Sequence, residues 1–241
     1  MGLFSTTLSI YKKDQPDIID ALKKELKEKR KLATFDRILV SVDNFQEILD
    51  SQVYLNQGIF YLVAYRFSNW TTILELNVNL NDPFYLYEIA NAMSLRLKTY
   101  SLSLHLHDDD VIFYNLEHNG NSLDGYNSNV QYFENEPLKQ IEIINQRHDA
   151  AKFLELLPSG KNIEGLNEIL NRGYWNAFDN NDLDMDGIPN DEIYEVEEEQ
   201  RLKEIGRYLE IYNNVDFPYA NWHDDIYELN LSKCYLLRAN K

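Results

Sequence analysis

The chain has 241 residues, 44% of them hydrophobic, with 17 Tyr, 11 Phe and 3 Trp; that is too much apolar and aromatic material for a disordered segment and enough for one large or two small domains. Its 23 basic and 40 acidic residues leave a net charge of -17, which disfavours nucleic-acid phosphates, and no apolar run approaches the ~18 residues needed to cross a bilayer. A single cysteine, Cys234, excludes an internal disulfide, and with no basic-then-apolar leader the expected location is cytoplasmic.

Residues 3–11 read as a strand rich in Thr and Ile. Asp14-Gln15-Pro16-Asp17 then opens a helix, with Ile18, Leu22 and Leu26 on one stripe and Lys23, Lys24, Lys27, Lys29 and Lys31 on the outer face. Residues 38–42 read as a second strand. Residues 58–67 and 70–78 form an expected hairpin turning at Ser68-Asn69. Asp82-Pro83 starts a helix that reaches about Lys98. Residues 100–107 alternate strictly, Tyr100, Leu102, Leu104 and Leu106 against Ser101, Ser103, His105 and His107. That is the pattern of a strand with one face in the core and one in water. Asp108-Asp109-Asp110 makes the turn, Val111 to His118 returns, and Asn119-Gly120-Asn121 turns again.

Beyond this point the chain changes character. Residues 137–157 and 162–178 read as helices, 179–192 as a Gly/Pro/Asp/Asn loop and 193–213 as a long acidic helix whose Glu195, Glu197, Glu198 and Glu199 serve to solvate it. A last strand is expected at 226–237, with Cys234 as a buried structural thiol. Residues 1–100 hold 12 basic and 12 acidic residues, so the whole excess of negative charge lies in 101–241. The expected fold class is α+β: a mainly antiparallel sheet with packed helices over residues 1–137, then an acidic, mainly helical region with a final strand over 138–241, able to pack with the first as one domain.

Three groups of residues have the makings of chemistry. In Asp182-Leu183-Asp184-Met185-Asp186-Gly187-Ile188-Pro189-Asn190, side-chain oxygens at positions 1, 3 and 5, Gly at 6, the Ile188 carbonyl at 7 and Asn190 at 9 suit calcium. The stretch resembles the Asp-x-Asp-x-Asp-Gly loops of EF-hand, dockerin and thrombospondin-type repeats. It departs from them at position 12, where Ile193 stands in place of a bidentate Glu. The plainer reading is a solvated Asp/Asn-rich loop. His105 and His107 share one face of a strand and suit a metal if a third ligand is near, with a polar solvent face as the alternative. Asp108, Asp109, Asp110 and Asp124 are paired-carboxylate candidates for acid–base work or ligand capture; in turns, water keeps such groups ionised.

A longer pattern runs through the same region. Asn91-Ala92-Met93-Ser94-Leu95-Arg96-Leu97-Lys98-Thr99, then His107-Asp108-Asp109-Asp110-Val111-Ile112-Phe113-Tyr114, then Gly120, Asp124, Tyr126-Asn127-Ser128 and Tyr132-Phe133, resembles a group of uncharacterised bacterial proteins over residues 82–135. The resemblance implies no activity; it points to Asp108, Asp109, Asp110, Asp124 and Tyr126 as the place for a ligand or partner. None of the common phosphate-loop, zinc-helix, nucleophile-elbow or paired-cysteine motifs occurs. The expected function is therefore a non-enzymatic acidic binding protein of immunity or inhibitor type acting on a basic protein, with a metal-dependent hydrolase using His105, His107 and Asp108–Asp110 as the alternative.

Overall fold

The computed structural model describes residues 5–39, 59–66, 68–76, 85–108, 110–134, 138–183, 198–211 and 233–240. Eight strands form one sheet: β1 (Ser5–Tyr11), β2 (Thr34–Ile38), β3 (Ile59–Val63), β4 (Trp70–Glu75), β5 (Tyr100–His107), β6 (Val111–His118), β7 (Asn121–Asn127) and β8 (Tyr235–Asn240). Their order is β2-β8-β3-β4-β1-β5-β6-β7, and each neighbouring pair is antiparallel. The fold is α+β, as the sequence implies. The C-terminal strand lies between β2 and β3, so both ends of the chain belong to one sheet.

Helices cover both faces. On one lie α1 (Gln15–Lys29), α2 (Tyr85–Glu88) and α3 (Ala90–Leu97), which bury Ile18, Leu22, Leu26, Tyr85, Leu86 and Met93 against Leu8, Ile10, Tyr61, Val63, Ile73 and Leu237. Helix α1 begins with Pro16 in its first turn and Asp17 at its positive end, as expected for a helix start. It is tied to α3 by Arg96, which reaches the buried carboxylate of Glu25 at 2.5 Å and Glu28 at 2.8 Å. On the other face, α4 (Gln140–Ile144), a 3-10 turn (Ala150–Phe153), α5 (Ile163–Leu170), α6 (Tyr174–Asp179) and α7 (Glu198–Leu209) pack Ile143, Phe153, Leu166, Trp175, Leu202 and Ile205 on Leu102, Leu104, Leu106, Tyr114 and Leu116.

Several elements differ from the sequence reading. Strand β2 is Thr34–Ile38 rather than 38–42, of which 40–42 lie outside the described residues. The helix expected up to Lys98 is divided into α2 and α3 and ends on Lys98 with φ 51°. The helices expected at 137–157 and 162–178 are shorter pieces, with 137 outside the described residues; the first is Gln140–Ile144 and a 3-10 turn, and the second is broken at Gly173 (φ 67°), where an L side chain would be strained. Of the acidic helix expected at 193–213, Glu198–Leu209 is helical, with 193–197 and 212–213 outside the described residues, and the last strand is Tyr235–Asn240, with 226–232 outside the described residues.

The largest difference concerns β5. Leu102, Leu104 and Leu106 are buried as the alternation implies, but Ser101, Ser103 and His105 are buried too. Their face is covered by α2 and α3 rather than by water. Ser101 Oγ donates to the Ala90 carbonyl at 2.7 Å, and Thr6 Oγ1 lies 2.6 Å from His105 Nδ1. Small hydroxyl side chains let a helix approach closely and satisfy its backbone at the same time. Strand β7 is a further correction, because only a turn and a returning segment are legible there. Asn119 (φ 51°) and Gly120 (φ 80°) form the two-residue turn of a β6–β7 hairpin, the positive-φ pair that matches strand twist.

Candidate functional site

The turn between β5 and β6 is held by Asp110 N donating to the His107 carbonyl at 3.0 Å, with Asp108 at φ 54°, a value an aspartate tolerates better than most residues. Asp109 lies outside the described residues. After β7 the chain bends back over this tip through a short ladder of side-chain acceptors. Ile112 N donates to Ser128 Oγ at 2.9 Å, Asn129 N to Asn127 Oδ1 at 2.9 Å and Gln131 N to Asn129 Oδ1 at 3.2 Å. Short polar side chains of this kind replace the strand ladder with local turns.

The bend delivers two aromatic residues to the tip. Tyr132 is 36% exposed and Phe133 53%. The Tyr132 hydroxyl donates to Asp110 Oδ2 at 3.0 Å and is pushed up to about 12, by desolvation first and then by that bond. The rings of His107, Tyr132 and Phe133 lie 4.8 to 6.1 Å apart at 76° to 84° to one another, and Phe133 also stacks on Phe113 at 5.8 Å. Edge-to-face contacts of this sort fix ring orientation without covering the outer surfaces. The result is an exposed aromatic corner with carboxylates at its rim.

Behind the tip sits a buried ion pair that sequence reasoning placed in solvent. Glu198, at the start of α7, is 7% exposed and Arg201 only 1%; their closest atoms are 3.3 Å apart. Arg201 donates to the Tyr126 hydroxyl at 2.6 Å and the Arg172 carbonyl at 2.9 Å, and Tyr126 donates in turn to the Leu170 carbonyl at 2.8 Å. Burial raises the Glu198 carboxyl to about 7; Arg201 and a Ser128 hydrogen bond pull the other way, while Asp110 pushes it further up. Glu198 Oε2 and Arg201 Nε have no hydrogen-bond partner among the described residues.

The sequence-derived candidates therefore separate. Asp108, Asp110 and His107 stand at the tip. Asp124 and Tyr126 point to the opposite, helix-covered face, where Asp124 accepts from Tyr114 at 2.5 Å and from Asp149 N at 2.8 Å. Burial raises the Asp124 carboxyl against those bonds. Both residues anchor the second half of the chain to the sheet. His105 is fully buried and lowered to about 3, by burial and then by the nearby His107. His118 is at the far end of the hairpin, stacked on Tyr100 at 3.9 Å. Cys234 is buried and pushed up to about 12, as befits a structural thiol. Of the loop expected from the sequence to suit calcium, Asp182 and Leu183 are described, Asp182 N donating to the Ala177 carbonyl at 2.8 Å; Asp184, Asp186, Ile188 and Asn190 lie outside the described residues. Among the described residues no three His, Cys, Asp or Glu side chains are grouped to hold a metal, and no helix is long and apolar enough to cross a membrane.

Tyr132 and Phe133 do not emerge from the sequence as site residues. They close the longer pattern of residues 82–135 and stand as two adjacent aromatics in a polar stretch, Asn127 to Pro137, but neither signal singles them out as a contact surface. No protein-family model, curated protein or solved structure matches this chain.

Proposed function

We propose that the chain is a non-enzymatic binding protein of immunity or inhibitor type, acting in the cytoplasm on a basic protein, and that the β5–β6 tip is its contact surface. The observation that carries this is the pair of exposed rings, Tyr132 and Phe133, beside Asp108 and Asp110. Exposed aromatics in a cluster gain free energy when a partner covers them, and protein interfaces are enriched in such anchors. The carboxylates at the rim supply steering toward a basic surface, reinforced by the -17 net charge. The same charge argues against nucleic acid as the partner. A metal-dependent hydrolase built on His105, His107 and Asp108–Asp110 is less supported, because His105 would have to leave a buried site where it is bonded to Thr6.

The test is capture from the native lysate with three forms of the protein: wild type, Asp110→Asn/Phe133→Ser, and a charge-matched control, Asp20→Asn, on the outer face of α1. The reading expects a basic protein retained by wild type and control, released by high salt and lost by the tip variant. Equal retention by all three forms would place the interface elsewhere.

A further inference from the structure

Among the described residues, the tip presents aromatic rings and a carboxylate side by side with no lysine or arginine paired to them. No lysine or arginine among the described residues forms an ion pair with Asp108 or Asp110.

Elsewhere two of the chain's arginines complete this arrangement, while a third, Arg37, lies over the Tyr235 ring at 4.9 Å with no ion pair among the described residues. Arg147 lies over the Trp175 ring at 5.4 Å and forks onto both oxygens of Asp179 at 2.7 Å each. Arg30 lies 3.5 Å from the centre of the Tyr85 ring and reaches Glu75 at 3.1 Å. Lysines also cover rings, Lys23 over Tyr235, Lys27 over Phe35 and Lys161 over Tyr208. Among the described residues none of those three pairs with a carboxylate as well. The division has a physical basis. A guanidinium is flat, weakly hydrated and forked, so one face stacks on a ring while its edge binds a carboxylate; an ammonium is compact, strongly hydrated and does one or the other.

From this we infer that the tip takes an arginine side chain of its partner, stacked against the exposed Tyr132–Phe133 rings and forked onto Asp110, and that it selects arginine over lysine. The inference rests on the reading of the tip as a surface for a basic protein. It adds the chemical identity of the group that is bound.

Two defined probes separate the two statements: a hexa-arginine and a hexa-lysine peptide, titrated against the full chain at equal ionic strength. The variants are Phe133→Leu, which keeps apolar bulk but removes the π face, Asp110→Asn, and Asp20→Asn as control, each checked for an unchanged circular dichroism spectrum. Wild type and control are expected to bind hexa-arginine roughly two- to fivefold more tightly than hexa-lysine, the increment of an exposed cation–π contact. Phe133→Leu is expected to bring that ratio to about one. Asp110→Asn should weaken both peptides beyond the control. If both peptides bind wild type equally and Asp110→Asn still weakens them, the basic-partner reading survives and the arginine inference falls. If arginine is preferred but Phe133→Leu leaves the ratio unchanged, the inference also falls, because the preference then belongs to the peptide. If Asp110→Asn does no more than Asp20→Asn, both statements fall.

Discussion

Acidification should weaken this protein through two buried histidines, and His105 allows the effect to be isolated. Its imidazole is lowered to about 3 in the folded chain and that of His148 to about 4, both chiefly by burial. An unfolded histidine titrates near 6.5. The folded state therefore binds these protons less readily, and the stability the neutral rings contribute is present above pH 6.5 and lost as pH falls. Between pH 8 and pH 5 the loss is about 2 kcal/mol for each ring. Glu198 acts in the opposite sense. Its folded value of about 7 exceeds the unfolded 4.5, so over the same interval it adds about 2.5 kcal/mol as it takes up its proton. The two histidines together outweigh Glu198, whose side Asp124, also raised by burial, joins in part. The perturbation is His105→Asn, whose side chain still reaches Thr6. Urea unfolding of both proteins at pH 8 and pH 5 reads the difference. The midpoint should fall on acidification in the wild type and hold or rise slightly in the variant, a difference of about 1 M for a slope of ~2 kcal/mol per M. The absolute stability of the variant does not matter, only its pH dependence. An identical acid-induced drop in both proteins would mean that His105 is not held neutral, and the burial argument for β5 would be wrong.

Other consequences are equally direct. Gly120→Ala should cost about 1–3 kcal/mol in thermal or urea unfolding, because the position has φ 80° and an added Cβ would lie 2.9 Å from Leu95 Cβ; a neutral result would refute the β6–β7 turn. Arg201→Met should cost more at pH 8, where the wild-type Glu198 is paired as a carboxylate and the variant must either bury it unpaired or take up a proton, than at pH 5, where it is neutral in both; equal costs would show that the two are not coupled. If Asp182, Asp184, Asp186, Ile188 and Asn190 hold calcium, millimolar calcium raises the melting temperature and Asp184→Ala abolishes the rise; no rise in wild type rejects the site.

How far the sequence reveals this molecule depends on what each residue type can signal. The leucines of β5 announce a buried face because apolar residues at period two match the pleat of a strand and not the turn of a helix. Ser101, Ser103 and His105 announce water by the same rule and are buried, because α2 and α3 cover them and Ala90 and Thr6 satisfy them. Strand β7 is hidden by its composition: Asn121, Ser122, Asp124 and Gly125 are poor strand formers, tolerated on an edge. Asp124 and Tyr126 stand out as polar groups worth inspecting, yet they anchor the helices to the sheet. Glu198 looks like one more solvated acid in an acidic helix; only the fold places Arg201 and Ser128 against it. The tip is half legible. Its carboxylates are plain in the sequence, whereas the exposure of Tyr132 and Phe133 depends on where the bend after Ser128 carries them.

The contact surface itself is open to a kinetic measurement. Stopped-flow association of the captured basic protein with wild type and with Asp108→Asn/Asp110→Asn, over a range of salt concentrations, separates steering from packing. If the tip is the interface, the double variant should associate several-fold more slowly at low salt, and its rate should depend less steeply on salt. Equal rates and equal salt slopes for the two proteins would contradict the assignment of the β5–β6 tip as the binding surface.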